Sequence, residues 1–147
     1  MIKAAAIQDL KEIAPYGKAF YEEGNLVGNY DPETFVKNWT VFLEKGLGVI
    51  FIMESMGKFA GALGGILFMD PNNNDVSATE LFWYVLPEHR NGIEPVRLLL
   101  AFEHWAKEMG ARRVSMMHTF GTQVEQLSGI YTRLGYRPLE VHYVKEI

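Results

Sequence analysis

Apolar and polar positions alternate between strand-like and helix-like periods along the whole chain. Residues Ile2 to Ile7 form a short apolar stretch that predicts a strand. Asp9-Leu10-Lys11-Glu12 then predicts a helix start, with the Asp9 side chain over the first free amides and Glu12 reaching back. Leu10, Ile13, Gly17 and Phe20 recur at helical spacing. Asp31-Pro32 opens a second helix, an acid at the cap and a proline in the first turn. Phe35, Trp39 and Phe42 line its inner face and Gly46 ends it. Val49 to Met53 is an unbroken apolar run, as in a strand buried on both faces. After a turn at Gly57, Phe59 to Met69 predicts the next strand. The turn formers of Asp70-Pro71-Asn72-Asn73-Asn74-Asp75 separate it from a strand over Val76 to Leu86. Strict alternation there puts Glu80, Phe82 and Tyr84 on one face and Leu81, Trp83 and Val85 on the other.

The rest of the chain continues the mixture. Pro95 starts a long helix with the stripe Val96, Leu99, Phe102, Ala106 and Met109, and Glu103 and Lys107 are spaced for an exposed ion pair. Arg113 to Thr119 predicts a strand, and Thr122-Gln123-Val124-Glu125 a capping box. The helix that follows runs to about Leu134, with Gly135 past its end, and Leu139 to Lys145 alternates as a last strand. The order predicts a mixed α/β layer with helices on both faces of one central sheet of six strands.

Composition narrows the function. At 147 residues the chain predicts one domain, residues 1–147, with a core large enough to need no staples. With no cysteine, disulfides, thiolate metal sites and a cysteine nucleophile are excluded. The histidines His104, His118 and His142 lack ligand spacing, so no metal is expected. A net charge of −4 argues against nucleic acid as a partner and suits a cationic or amine substrate. No apolar run is long enough to span a membrane, and Asp9 comes too soon for a secretory signal, so a cytoplasmic protein is expected.

Two segments give the order a sharper meaning. Val85-Leu86-Pro87-Glu88-His89-Arg90, followed by a helix carrying Leu98-Leu99, resembles the acyl-CoA motif of the GNAT N-acetyltransferases. In that motif a strand ending V-x-P-E-x-R leads through a glycine-rich turn into a helix. A diphosphate needs backbone amides and a helix N-terminus, and glycine lets the backbone come close. Ile130-Tyr131-Thr132-Arg133-Leu134-Gly135-Tyr136 resembles the family's Y-x-x-L-G-[FY] segment. The resemblance covers essentially the whole chain. Its loop departs from R-x-x-G-x-G/A: Arg90-Asn91-Gly92-Ile93-Glu94-Pro95 carries glycine one place early, with Ile93 and Pro95 where glycine or alanine is usual. Divergent members from tailed phages have similarly altered loops.

The resemblance implies a GNAT-like acyl-CoA N-acyltransferase fold and an acetyl-CoA-dependent N-acetyltransferase. A small-molecule or protein amine would attack the thioester directly. It implies that the Val85 amide holds the acetyl carbonyl and that Arg90, Asn91, Gly92, Ile93, Glu94 and Pro95 form the cofactor corner. Tyr131 matches the tyrosine that protonates the leaving sulfur, and Glu80 stands where several relatives carry a glutamate base. A carboxylate among Glu22 and Glu23 competes with Glu80. The segment Tyr21 to Asp31 is where such a fold shapes acceptor choice, and Tyr21, Tyr30, Trp39, Trp83 and Tyr84 are candidates for either a substrate pocket or the core. Dimers are common in this fold. The alternative is a GNAT-like module, structural or acyl-CoA-binding, that has lost the chemistry.

Overall fold

The computed structural model describes residues 1–121 and 123–147. The sequence order is β1 (Ile2–Ala4), α1 (Leu10–Ile13), α2 (Gly17–Gly24), α3 (Pro32–Glu44), β2 (Gly48–Ser55), β3 (Lys58–Met69), β4 (Val76–Val85), α4 (Glu94–Glu108), β5 (Arg113–Ser115) and α5 (Val124–Arg133). Single 3₁₀ turns cover Ile7–Asp9, Ala14–Tyr16 and Pro87–His89. The strands form one sheet in chain order, β1-β2-β3-β4-β5. Neighbours are antiparallel except β4 and β5, which the α4 crossover makes parallel.

Two cores sandwich the sheet. Val49 and Met53 of β2 join Ala60, Leu63, Ala78 and Val85 under Leu98, Leu99, Phe102 and Ala106 of α4. Ile50 and Ile52 point the other way, into a cluster with Leu10, Ile13 and Trp39. The apolar run of β2 is thus explained by burial on both faces. α3 begins as its residues predict: the Asp31 carboxylate accepts from the amides of Glu33 at 3.3 Å and Thr34 at 3.2 Å. Gly65 lets the core close, because a Cβ there would stand 2.4 Å from the Phe102 ring and 2.6 Å from the Thr79 carbonyl oxygen. Gly65→Ala is therefore expected to cost about 1–3 kcal/mol as overpacking, read by urea denaturation.

Several expectations need correction. There are five strands among the described residues, not six. Leu139 to Lys145 pairs with no strand among the described residues: Leu139 is 69% and Tyr143 95% exposed. Alternation alone makes no strand without a free edge to pair with. The strand predicted over Arg113 to Thr119 stops at Ser115, so no such edge continues past it. Asp9 does not cap α1; its carboxylate turns back to accept from the Ala6 amide at 2.8 Å. On α4 the buried residues are Pro95, Leu98, Leu99, Phe102 and Ala106, while Val96 is half-buried and Met109 exposed. Glu103 accepts from the Tyr136 hydroxyl at 2.7 Å, which ties the end of the Y-x-x-L-G-Y segment to α4. Thr122, the first residue of the expected capping box, lies outside the described residues; Gln123 precedes α5 in a left-handed conformation with φ 50°.

The most consequential correction concerns β4. Its register against β3 slips between Gly64 and Gly65, which face Phe82 and Glu80, so Leu81 is an extra, bulged residue. A bulge reverses which face each later side chain takes. Phe82 enters the core with Trp39. Glu80 instead shares the α4–α5 side with Ala78, Trp83 and Val85.

Candidate active site

β4 and β5 are paired only over Ser77–Thr79 and Arg113–Ser115. Beyond Thr79 and Ser115 the two chains diverge, and a cleft of about 260 Å³ opens between them. Its walls come from β4 (Glu80, Trp83, Tyr84, Val85), from Met117 and His118 after β5, from α2 (Phe20, Glu23) and from α5 (Gln126, Leu127, Ile130). Arg90 and Pro95 stand at one end.

The backbone at that end is set up to donate. The Leu86 amide bonds to the Ala60 carbonyl of β3 at 2.9 Å. Successive amides along a strand face opposite edges, so the N–H and C=O of Val85 face the gap, where no strand pairs with them. The Val85 carbonyl accepts from Arg90 Nε at 2.8 Å. Past the turn Pro87–His89, Gly92 has φ 114°, a conformation that favours glycine. Ile93 caps α4 with no side-chain acceptor. Among the described residues the amides of Asn91, Gly92 and Ile93 donate to no protein group, and Glu94 and Val96 precede the first α4 bond, from Arg97 N to Ile93 O at 3.1 Å. Such an open helix start suits an anion. Glu94 is paired with Arg97 at 2.5 Å, which offsets its charge near that start. Pro95 supplies no donor and packs inward, whereas Ile93 is exposed.

The arginine is not idle. Its guanidinium bonds to Glu23 Oε2 at 2.6 Å and lies over the Tyr84 ring at 5.6 Å. The Tyr84 hydroxyl donates to Glu23 Oε1 at 3.3 Å. Burial and the Glu23 carboxylate push the Tyr84 phenol above its ordinary range. Of the two competing carboxylates, Glu23 therefore enters the cleft, while Glu22 sits outside beside Lys18 at 3.9 Å.

Glu80 and Tyr131 converge on one residue. Glu80 is buried, 4% exposed, and its Oε2 accepts from the Met117 amide at 2.9 Å. Burial raises its pKa to about 8, with the Met117 bond acting in the opposite direction. The Tyr131 hydroxyl donates to the Met117 carbonyl at 2.7 Å. Burial, then the nearby Glu80 charge, pushes that phenol far up. Glu80 lines the cleft, whereas Tyr131 lies behind its wall against Trp83, with ring centroids 6.3 Å apart. Of the aromatic candidates, Trp83 and Tyr84 line the cleft, Trp39 is core, and Tyr21 packs on Tyr30 at 5.3 Å. Met117 and His118 were not singled out as site residues by sequence, since a short strand followed by extended chain carries no local signal.

No protein-family model and no curated protein sequence matches the chain. Solved structures do. A predicted acetyltransferase with acetyl-CoA from Clostridium acetobutylicum superposes with a TM-score of 0.82 at 14% identity, over 99% of this chain and 95% of that one. AAC(6')-Iy, in complex with the bisubstrate analogue CoA-S-monomethyl-acetylneamine, gives 0.79 at 16% identity over 100% and 98%. An aminoglycoside acetyltransferase from an uncultured soil metagenomic sample gives 0.78 at 15% identity over 100% and 97%. At these identities it is the fold that is shared, over the full length, so the splayed β4–β5 pair and the open start of α4 belong to a chain that has the GNAT acyl-CoA N-acyltransferase fold.

Proposed function

We propose that the chain is an N-acetyltransferase that moves the acetyl group of acetyl-CoA to a primary amine. The carrying observation is the Val85 amide facing the β4–β5 gap next to an uncapped helix start. The amides of Asn91 to Glu94 suit the diphosphate, and the gap suits the pantetheine arm, laid along β4 like an added strand. The Val85 N–H is placed for the carbonyl oxygen as charge develops on it. In the reaction the amine nitrogen bonds to the acetyl carbon, the carbon–sulfur bond breaks, and the thiolate takes a proton.

Glu80 is the proposed proton acceptor because it is the buried carboxylate of the cleft, and its raised pKa of about 8 matches it to an amine. Activity through Glu80 rises with pH toward that value, since only the ionised carboxylate is a base. Tyr131 is the proposed acid for the thiolate; its hydroxyl leaves the Met117 carbonyl to act. Glu23, with Trp83 and Tyr84, forms an acceptor wall that suits a cationic amine, and the aminoglycoside acetyltransferase among the similar structures is consistent with a small polyamine-like acceptor.

The competing reading is an acyl-CoA-binding module without turnover. It is favoured by the Tyr131 hydroxyl being committed to Met117 and by Arg90 being committed to Glu23. Thiol release from acetyl-CoA across a panel of polyamines, aminoglycosides and lysine peptides decides between them. Turnover supports the enzyme; tight binding with no thiol release from any amine supports the module.

A further inference from the structure

Where a ladder would continue past Ser115, the next chain groups to be paired include those of Met117. Neither is paired by a strand. Its N–H is taken by the carboxylate of Glu80, reaching across from β4, and its C=O by the phenol of Tyr131, reaching from α5. Both side chains are buried, and Glu80 shares its face with Ala78, while the Leu81 bulge brings the later Trp83 and Val85 to that same side of the sheet. Peptide-to-peptide ladder bonds hold strands about 4.8 Å apart. A bond made through a glutamate side chain holds them farther apart, and it satisfies the polar groups that would otherwise drive the strands together.

We infer that Glu80 and Tyr131 are positioning residues as well as candidates for proton transfer: by occupying both hydrogen-bonding groups of Met117 they keep β5 from zipping onto β4 and hold the cleft open. The inference rests on the cleft being the acetyl-CoA site only for its binding readout. Its structural readout needs no ligand.

The conservative change separates the two roles. A Gln side-chain carbonyl still accepts from the Met117 amide, so Glu80→Gln keeps the spacer and removes the base. Glu80→Leu removes both at similar volume. Hydrogen exchange followed by NMR on the unliganded protein is expected to show wild-type protection of the Met117 amide in Glu80→Gln. In Glu80→Leu protection falls about tenfold, the worth of one hydrogen bond, while β2 and β3 amides are unchanged. The Kd for acetyl-CoA follows the same split: near wild type in Glu80→Gln, weakened about tenfold in Glu80→Leu. Should Glu80→Leu not fold, Tyr131→Phe, which deletes one oxygen, carries the test, with a severalfold weaker Kd and faster exchange in residues 116–119. Wild-type exchange and wild-type Kd in Glu80→Leu, or in Tyr131→Phe, overturn the spacer. Failure of the wild-type protein to bind acetyl-CoA would instead count against the proposed function, and the exchange arm would still judge the spacer.

Discussion

Glu80→Gln is expected to be no more stable than wild type at pH 5 but clearly more stable at pH 9. The cause is the buried carboxyl, whose pKa rises from 4.5 unfolded to about 8 folded because burial disfavours its charge. Between those values the folded protein holds a proton that the unfolded chain has released. Stability from this group is therefore complete below about pH 4.5, falls as pH rises, and levels off above about 8. The slope is about 1.4 kcal/mol per pH unit at most, so the full window is worth roughly 5 kcal/mol as an upper figure. A Gln has no such window. Thermal melts of both proteins from pH 5 to pH 9 are expected to diverge steadily, by on the order of 10 °C at the top. Parallel curves would mean that Glu80 is ionised throughout, and its place as a pKa-matched base would go with that.

The second large effect is expected at Val85. Its N–H faces the gap rather than β3, so Val85→Pro removes no ladder bond and deletes one donor. If that donor stabilises the oxyanion, kcat should fall by about 10²–10³-fold with little change in the Kd for acetyl-CoA, while the lost packing of this core side chain lowers the melting temperature by a few degrees. A loss confined to Kd would place the donor on the pantetheine arm instead. Unchanged kinetics would remove Val85 from the chemistry.

The two effects differ in how far the sequence shows them. The Val85–Pro95 corner is legible because its signals are local: a strand end, a proline turn, a helix start within a dozen residues. The same holds for the Asp31 cap, the double-faced β2 and the middle of the α4 stripe at Leu99, Phe102 and Ala106, which the structure places as their spacing predicts, though not for its ends at Val96 and Met109. The setting of Glu80 is not legible. A bulge at Leu81 leaves no mark in Thr79-Glu80-Leu81-Phe82-Trp83-Tyr84, because the residues on either side remain good strand formers. Only the glycines opposite, Gly64 and Gly65, hint that the register slips there. The Glu23–Arg90 bond joins residues 67 apart, and the Met117 bonds join groups brought together by topology alone. The last predicted strand failed for a related reason. Leu139 to Lys145 has the right alternation, but pairing depends on an edge that the sequence of the tail does not contain.

Acetyl-CoA binding at this site requires a diphosphate to fit the open start of α4 while its arm enters the β4–β5 gap. The direct measurement is a titration of the labelled protein with acetyl-CoA, followed amide by amide. Large shifts confined to Val85, Asn91 to Glu94, Val96 and the 116–119 segment are the predicted result. Saturating acetyl-CoA that leaves those amides unmoved, or moves a different surface, would contradict it.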